Sequence, residues 1–323
     1  MHKITHSVMF HHFHDDKHLP GQGSLSSSDF IQMIDWLNKH YTILSANQYK
    51  ENFENGTLKD TDICLSFDDA LKCQYDIAVP VMERLGIQAF FFVYSSAFGQ
   101  NPDRLEIYRY FRTTCYADID KFYEDFFDPV EQIDAAEFSR HHAKYLELNY
   151  LAAFPFYTEN DKWFRYLRDQ YLDGNQYDEL MNELMIQNDF DANTAKKDLW
   201  MSEDNLVTIE SKDHLIGLHS YSHPTQMSKL SKAEQELEYQ NNYDHLTGLI
   251  GKPIKVMSHP CGDYNKTTLE ILKSMEIDIG FRSSMSVKEI RSPLEIPRED
   301  HANVFKEMRL WKLQFLAVTN HDI

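Results

Sequence analysis

Two aspartates and two histidines carry most of the chemistry this sequence can do. Asp68 and Asp69 directly follow the apolar run Ile63-Cys64-Leu65-Ser66-Phe67. In parallel α/β folds, a charged pair at the end of a buried strand lies where ligands bind. Adjacent carboxylates repel, and a cation that separates their roles makes the pair tolerable. The same dipeptide also serves as a turn or helix cap, which is how Asp15-Asp16 reads. His219 and His223 stand four residues apart in GLHSYSHP, after the run His214-Leu215-Ile216-Gly217-Leu218. From a helix turn or a tight loop, that spacing lets two imidazoles converge on one metal ion. Imidazole with carboxylate suits zinc and its first-row neighbours. One carboxylate and two imidazoles leave a coordination position open for water, as a catalytic site requires. Histidine pairs at this spacing are common on surfaces. These two are set apart by sharing a strand-end position with the aspartates.

Two further strings belong with them. SHPCGDYN, residues 258–265, holds Pro260 and Gly262 around Cys261. Such a turn fixes an unusual backbone path that can aim main-chain N–H groups at a ligand, or it simply joins a strand to a helix. The N-terminal stretch holds His2, His6, His11, His12, His14 and His18. His11 and His12 end the first candidate strand, and histidine is the natural proton donor near neutral pH. Most of the others read as surface residues.

The elements that must position these groups alternate in type. Short apolar runs at 4–10, 62–67, 87–94, 214–218, 254–258, 277–282 and 294–297 are candidate strands, several flanked by helical patterns. Alternation of this kind indicates α/β architecture with parallel strands. In 28–40, Phe30, Ile34 and Leu37 share a helical face. The stretch 231–250 opens with a capping box from Ser231 to Glu234 and closes before Gly251, with Pro253 beyond. Residues 101–199 break the rhythm. They are rich in Tyr, Phe, Asp and Glu and read as several helices inserted between strands, because a structureless loop of that length is improbable in a compact domain.

The chain has 323 residues with 51 acidic and 32 basic side chains, a formal charge of −19. That charge argues against nucleic acid and against an anionic membrane surface, both of which recruit cations. With 42% hydrophobic residues the chain is long enough to bury a core without disulfides. Its four cysteines, Cys64, Cys73, Cys115 and Cys261, form no C-x-x-C pair. No signal-like segment or apolar span stands out, so the expected location is cytoplasmic and the oligomeric state is open.

Taken in order, these strings resemble the polysaccharide deacetylase family, the NodB-homology group of carbohydrate esterase family 4. LSFDDA is similar to the family's T-F-D-D-G motif, HSYSHP to its H-[ST]-x-x-[HD] motif, and SHPCGDYN to a third motif of the form YPYGDYN. VMFHHF is similar to a Y-H-x-F start, and MSEDNLVTIESKDHLIGLHS to the usual run into the second motif. Ala70 replaces the usual Gly, and Ser258 and His259 stand where an Arg is often found. A late L-x-H motif is not evident. IPREDHAN, residues 296–303, stands near where a family arginine is often found.

The resemblance implies a distorted (β/α)7 barrel from residues 1–100 and 200–323, with 101–199 as a helical insertion capping the active site. It implies a divalent metal, zinc first, with Co2+, Ni2+ or Mn2+ as alternatives, bound by Asp69, His219 and His223. Asp68 would be the general base, and His11, or else His12, the acid that protonates the leaving amine. Cys261 and Pro260 would shape an oxyanion-binding turn, and Arg298 would orient Asp68 or contact substrate. The implied reaction is hydrolytic removal of an N-acetyl or similar acyl group from an amino sugar or glycan intermediate. Alternatives are deacylation of a non-sugar amide or an O-acetyl ester, or a non-catalytic carbohydrate-binding protein.

Overall fold

The computed structural model describes residues 6–21, 23–99, 102, 104–152, 157–283 and 287–309. The chain forms two compact units. One comprises Met1–His18, Ser24–Asp103 and Trp200–Ile323; the other comprises Leu19–Gly23 and Arg104–Leu199.

The first unit is built on strands β1 (His6–Phe10), β2 (Thr42–Ile43), β3 (Asp62–Asp68), β4 (Phe90–Val93), β5 (Leu215–Leu218), β6 (Val256–Ser258), β7 (Ile279–Phe281) and β8 (Arg298–Asp300). All pairings are parallel, in the order β7-β6-β5-β4-β3-β1-β8, with β2 beside β3. The segment before β8 closes the ring. Ile296 bridges Phe281 in parallel, Arg282 N donates to Ile296 O (2.8 Å), and Ile296 N donates to Gly280 O (2.9 Å). Residues 296–300 thus pair with β7 at one end and β1 at the other. The result is a distorted (β/α)7 barrel. The last strand runs slightly later than the sequence suggests, and two-residue β2 is too short to show an alternation. The first two residues of the candidate strand 4–10 lie outside the described residues.

Local chemistry sets the barrel helices. Ser26 caps Ser27–Asn38 in a reciprocal box with Asp29, and the helix buries Phe30, Met33, Ile34, Trp36 and Leu37. Ser231 and Glu234 do the same for Lys232–Ile250, which stops at Gly251 with φ 74°. Strand alternation sorts the aromatics of β4. Phe90 and Phe92 meet Phe281 (5.2 and 5.5 Å between centroids), whereas Phe91 turns the other way and stacks on Phe67 at 4.8 Å. Gly217 of β5 is required by this packing. A Cβ there would stand 2.6 Å from Phe92 Cδ1 and 2.9 Å from Val256 Cγ2.

The second unit contains helices Arg104–Cys115, Ile119–Ile133, Ala135–Leu146, Glu159–Tyr166, Gly174–Gln187 and Ala192–Leu199. Asp118, Asp134, Thr158 and Asp173 cap four of them. Phe122, Tyr123, Phe126, Phe164 and Tyr177 pack edge-to-face in its interior. Among the described residues no helix is long and apolar enough to cross a membrane.

Candidate active site

The parallel register brings the C-terminal ends of β1, β3, β5 and β6 together, and with them the residues singled out above. Asp68 ends β3, and Asp69 follows it with φ 77°. That left-handed step turns the second carboxylate away from the strand direction. Ala70 is also left-handed (φ 53°), which explains why a glycine suits this position. Beyond β5, Ser220 (φ 62°) and His223 (φ 55°) fold GLHSYSHP into a tight loop rather than a helix turn. Glu238 holds that loop by accepting from Tyr221 N (3.0 Å), Ser222 N (2.8 Å) and Ser222 Oγ (2.6 Å).

Asp69 Oδ1 lies 3.5 Å from Nε2 of both His219 and His223. A ligand atom from each of the three falls within 4.8 Å of the other two. His219 Nδ1 donates to Ser258 O at 2.9 Å, so the lone pair is on Nε2, the atom facing Asp69. Its main-chain N donates to Asn242 Oδ1 at 2.9 Å. Asp69 Oδ1 is buried with no hydrogen-bond partner. Burial pushes the Asp69 carboxyl up, but His219, His223 and His11 outweigh it and hold it well below its ordinary range. An ionised, unsatisfied carboxylate oxygen beside two imidazole lone pairs fits a divalent first-row cation.

Asp68 has different surroundings. Arg298, fully buried, donates from Nη1 to Oδ1 and from Nη2 to Oδ2, both at 2.7 Å. The same guanidinium donates from Nη2 to Ser258 Oγ (2.6 Å), Nη1 to Ser66 Oγ (3.2 Å) and Nε to Arg282 O (2.9 Å). Burial raises the Asp68 pKa, but Arg298, then His219 and His11, lower it overall. His11 Nε2 is 4.0 Å from Asp68 Oδ2, and its side chain is 28% exposed, open to an incoming group. The His12 ring lies 6.2 Å from that of His11, and the His12 carbonyl accepts from Leu25 N. His11 is thus within reach of the aspartates. Asp300 and His301, at the end of β8, are its other neighbours, each offering a ligand atom within 4.8 Å of one on His11.

Pro260–Gly262 forms a single turn after β6, with Cys261 left-handed (φ 51°) and exposed. Gly262 is required there, since a Cβ would stand 2.2 Å from Ser283 Oγ. His259 is not an exposed ligand. It is buried, bonds Leu294 O through Nε2 (2.8 Å), stacks on Tyr264, and is held neutral, its pKa pushed down by burial to about 4.

A family model described as polysaccharide deacetylase matches residues 175–280, the stretch that holds both histidines and the Pro-Cys-Gly turn. The stretch 175–280 is therefore similar to that family, in line with the resemblance of its motifs. The match supports carbohydrate deacetylation as the coarse reading of its activity. No curated protein matches the sequence. Among solved structures, the chain is similar to the Streptococcus pyogenes deacetylase PplD in complex with acetate (13% identity, 92% of each chain, TM-score 0.53). It is also similar to IcaB from Ammonifex degensii (12%, 92% of this chain and 91% of that one, 0.53). A de-N-acetylase from Aggregatibacter actinomycetemcomitans gives 14%, 91% and 93%, and 0.53. At these identities the likeness is one of fold.

Within this candidate site, several supports were not visible in the sequence. Asn242 donates to Val93 O (2.9 Å) and Ser95 Oγ (2.7 Å) while accepting from His219 N, tying the ends of β4 and β5 together. Gln74 donates to the carbonyls of His11 (2.9 Å) and Asp68 (2.6 Å), linking the ends of β1 and β3. Ser258 reaches His219 through its carbonyl and Arg298 through its hydroxyl. Asn242 and Gln74 lie inside helical stretches, where no local pattern marks an inward amide.

Proposed function

We propose that this chain is a metal-dependent hydrolase that removes an N-acetyl or similar acyl group from an amino sugar or glycan intermediate. The observation that carries the reading is the division of labour between neighbouring carboxylates. Asp69 has an unsatisfied oxygen facing two imidazole nitrogens, whereas Asp68 is saturated by a buried guanidinium. Asp69, His219 and His223 would hold the ion, zinc by their donor chemistry. When bound it supplies Lewis acidity, which lowers the pKa of water from about 15.7 towards about 7 and polarises a carbonyl.

The chain's own residues do the rest. Asp68, kept ionised by Arg298, takes the proton of the attacking water. Arg298 fixes the plane of that carboxylate; its complete burial favours this role over contact with substrate. The backbone N–H of Cys261, in the strained turn after Pro260, is aimed at the developing oxyanion. His11 donates a proton to the leaving amine, and its closeness to Asp68 favours it over His12. The substrate is a short or chain-end sugar rather than a long polymer.

The test is acetate release across a panel of acetamido sugars, with and without chelator. Release that stops on chelation and returns with zinc is expected. Release indifferent to chelator would remove the ion from the mechanism. Sugar binding without release would make the chain a carbohydrate-binding protein.

A further inference from the structure

The helical unit contains two arginines whose surroundings do not balance their charge. Arg112, on Arg104–Cys115, places its Cζ 5.3 Å from the Phe122 ring centroid and 4.8 Å from that of Phe164. Arg165, on Glu159–Tyr166, adjoins Phe164 in sequence and stacks on Tyr157 at 4.0 Å. Nε of each is buried with no hydrogen-bond partner. Among the described residues neither guanidinium forms an ion pair. Burial and the closeness of Arg165 both push the Arg112 pKa down, so the charged state is electrostatically costly there.

The neighbouring groups do not repair this. Asp161 is the nearby carboxylate, and it already accepts from Tyr123 Oη, Thr158 N and Thr158 Oγ1. Arg168 is matched by Asp169 through two hydrogen bonds (2.6 and 3.0 Å). The carboxylate beside Arg112 is therefore already committed, and Arg165 adds a second positive charge next to it, in a chain whose overall charge is −19. Aromatic faces attract a guanidinium but leave its in-plane N–H donors unfilled. Water could fill donors but would not neutralise two like charges. A planar fork of donors backed by apolar rings binds oxyanions well, because the low local dielectric strengthens the charge–charge attraction.

We propose that Arg112 and Arg165 form a binding site for an oxyanion, a phosphoryl or carboxyl group, walled by Phe122, Phe164 and Tyr157. The site belongs to the helical unit alone and does not depend on the reaction proposed above. Its ligand is either a free anion or an anionic group carried by a sugar.

The test follows thermal unfolding and calorimetric binding of the full chain with inorganic phosphate, glucose 6-phosphate and glucuronate, each against chloride at equal ionic strength. A saturable rise in Tm with at least one of them is expected, and the most effective arm identifies the source of the oxyanion. Arg112→Met and Arg165→Met keep the aromatic contact and remove the charge. In chloride each variant should be as stable as wild type or more so, because an uncompensated charge is replaced by an apolar chain of similar reach. Each should lose at least tenfold in anion affinity. Two results would overturn the site: no anion-dependent rise in wild type, or a rise that persists undiminished in both variants. A variant that unfolds in chloride yet is rescued by the anion at wild-type affinity would also count against it.

Discussion

Arg298 meets Asp68 in a fork of two parallel 2.7 Å hydrogen bonds inside a fully buried pocket. The arginine comes from the closing strand β8, and its other donors go to Ser66, Ser258 and Arg282, so its position is determined on three sides. Removing one member of a buried pair strands the other's charge, at about 3–5 kcal/mol. Arg298→Met should therefore lower the unfolding free energy read from a urea titration by that much and reduce turnover, with the ion retained. Adding Asp68→Asn should recover much of the lost stability but none of the activity. A double variant no more stable than the single arginine variant would show that the pair does not act as a unit.

Asp68→Asn alone preserves the shape of the carboxylate and removes its basicity. Turnover should fall by about 10²–10⁴, the usual worth of a general base, while zinc content by elemental analysis stays the same. Loss of the ion in this variant would make Asp68 a ligand instead.

Asn242 binds no ion in the proposed site, yet it receives the His219 N–H and holds the ends of β4 and β5 together. Supports of this kind typically account for about 10–100-fold in metal affinity. Asn242→Leu is expected to weaken zinc binding within that range, measured by competition with a chromophoric chelator. Unchanged affinity would mean that the loop 219–223 holds its geometry without this amide, through Glu238 alone.

His214 provides a pH test away from the site. Its ring is buried, Nδ1 accepts from Ala89 N at 3.0 Å, and burial pushes its pKa from 6.5 down to about 4. The unfolded chain takes up this proton below about 6.5, whereas the folded chain delays uptake until about 4. The contribution is therefore fully present above pH 6.5 and is lost as the pH falls through that window. It amounts to at most about 3 kcal/mol. His214→Gln, which keeps an acceptor and removes the titration, should flatten the stability curve between pH 6.5 and 4. Parallel curves for variant and wild type would assign the acid loss to other groups.

Much of this arrangement is legible in the residue string, for a physical reason. Strand ends in a parallel barrel converge on one face, so residues that directly follow apolar runs, such as Asp69 and His219, must end up near one another. The partners of those residues are less visible. Arg298 lies 230 positions from Asp68 and is linked to it only through the family resemblance, and Asn242 and Gln74 sit in helices whose patterning reflects overall burial rather than a single inward amide. Closure is hidden because one short segment serves two neighbours, Ile296 pairing with β7 and Arg298–Asp300 with β1. The left-handed turns at Asp69, Ser220 and Cys261 carry no glycine and so leave no mark in the sequence.

The last expectation concerns substrate length, and it rests on where the chain leaves and rejoins the barrel unit. It leaves after β4, next to Tyr94, whose ring lies 5.3 Å from that of His223. It returns at Trp200, which bridges Leu71, and at Met201, whose N donates to Ala70 O at 2.9 Å. Ala70 directly follows the proposed metal ligand Asp69. Both stretches of the barrel unit that flank the insertion therefore border the candidate site. The substrate proposed above is a short or chain-end sugar rather than a long polymer, and substrate length tests it directly. Comparing kcat/KM for N-acetylglucosamine monomers, short oligomers and long polymer should show at least a tenfold preference for the short substrates. Mapping of deacetylated positions on longer chains should find them at the ends. Efficient deacetylation along the interior of a long chain would overturn that substrate assignment.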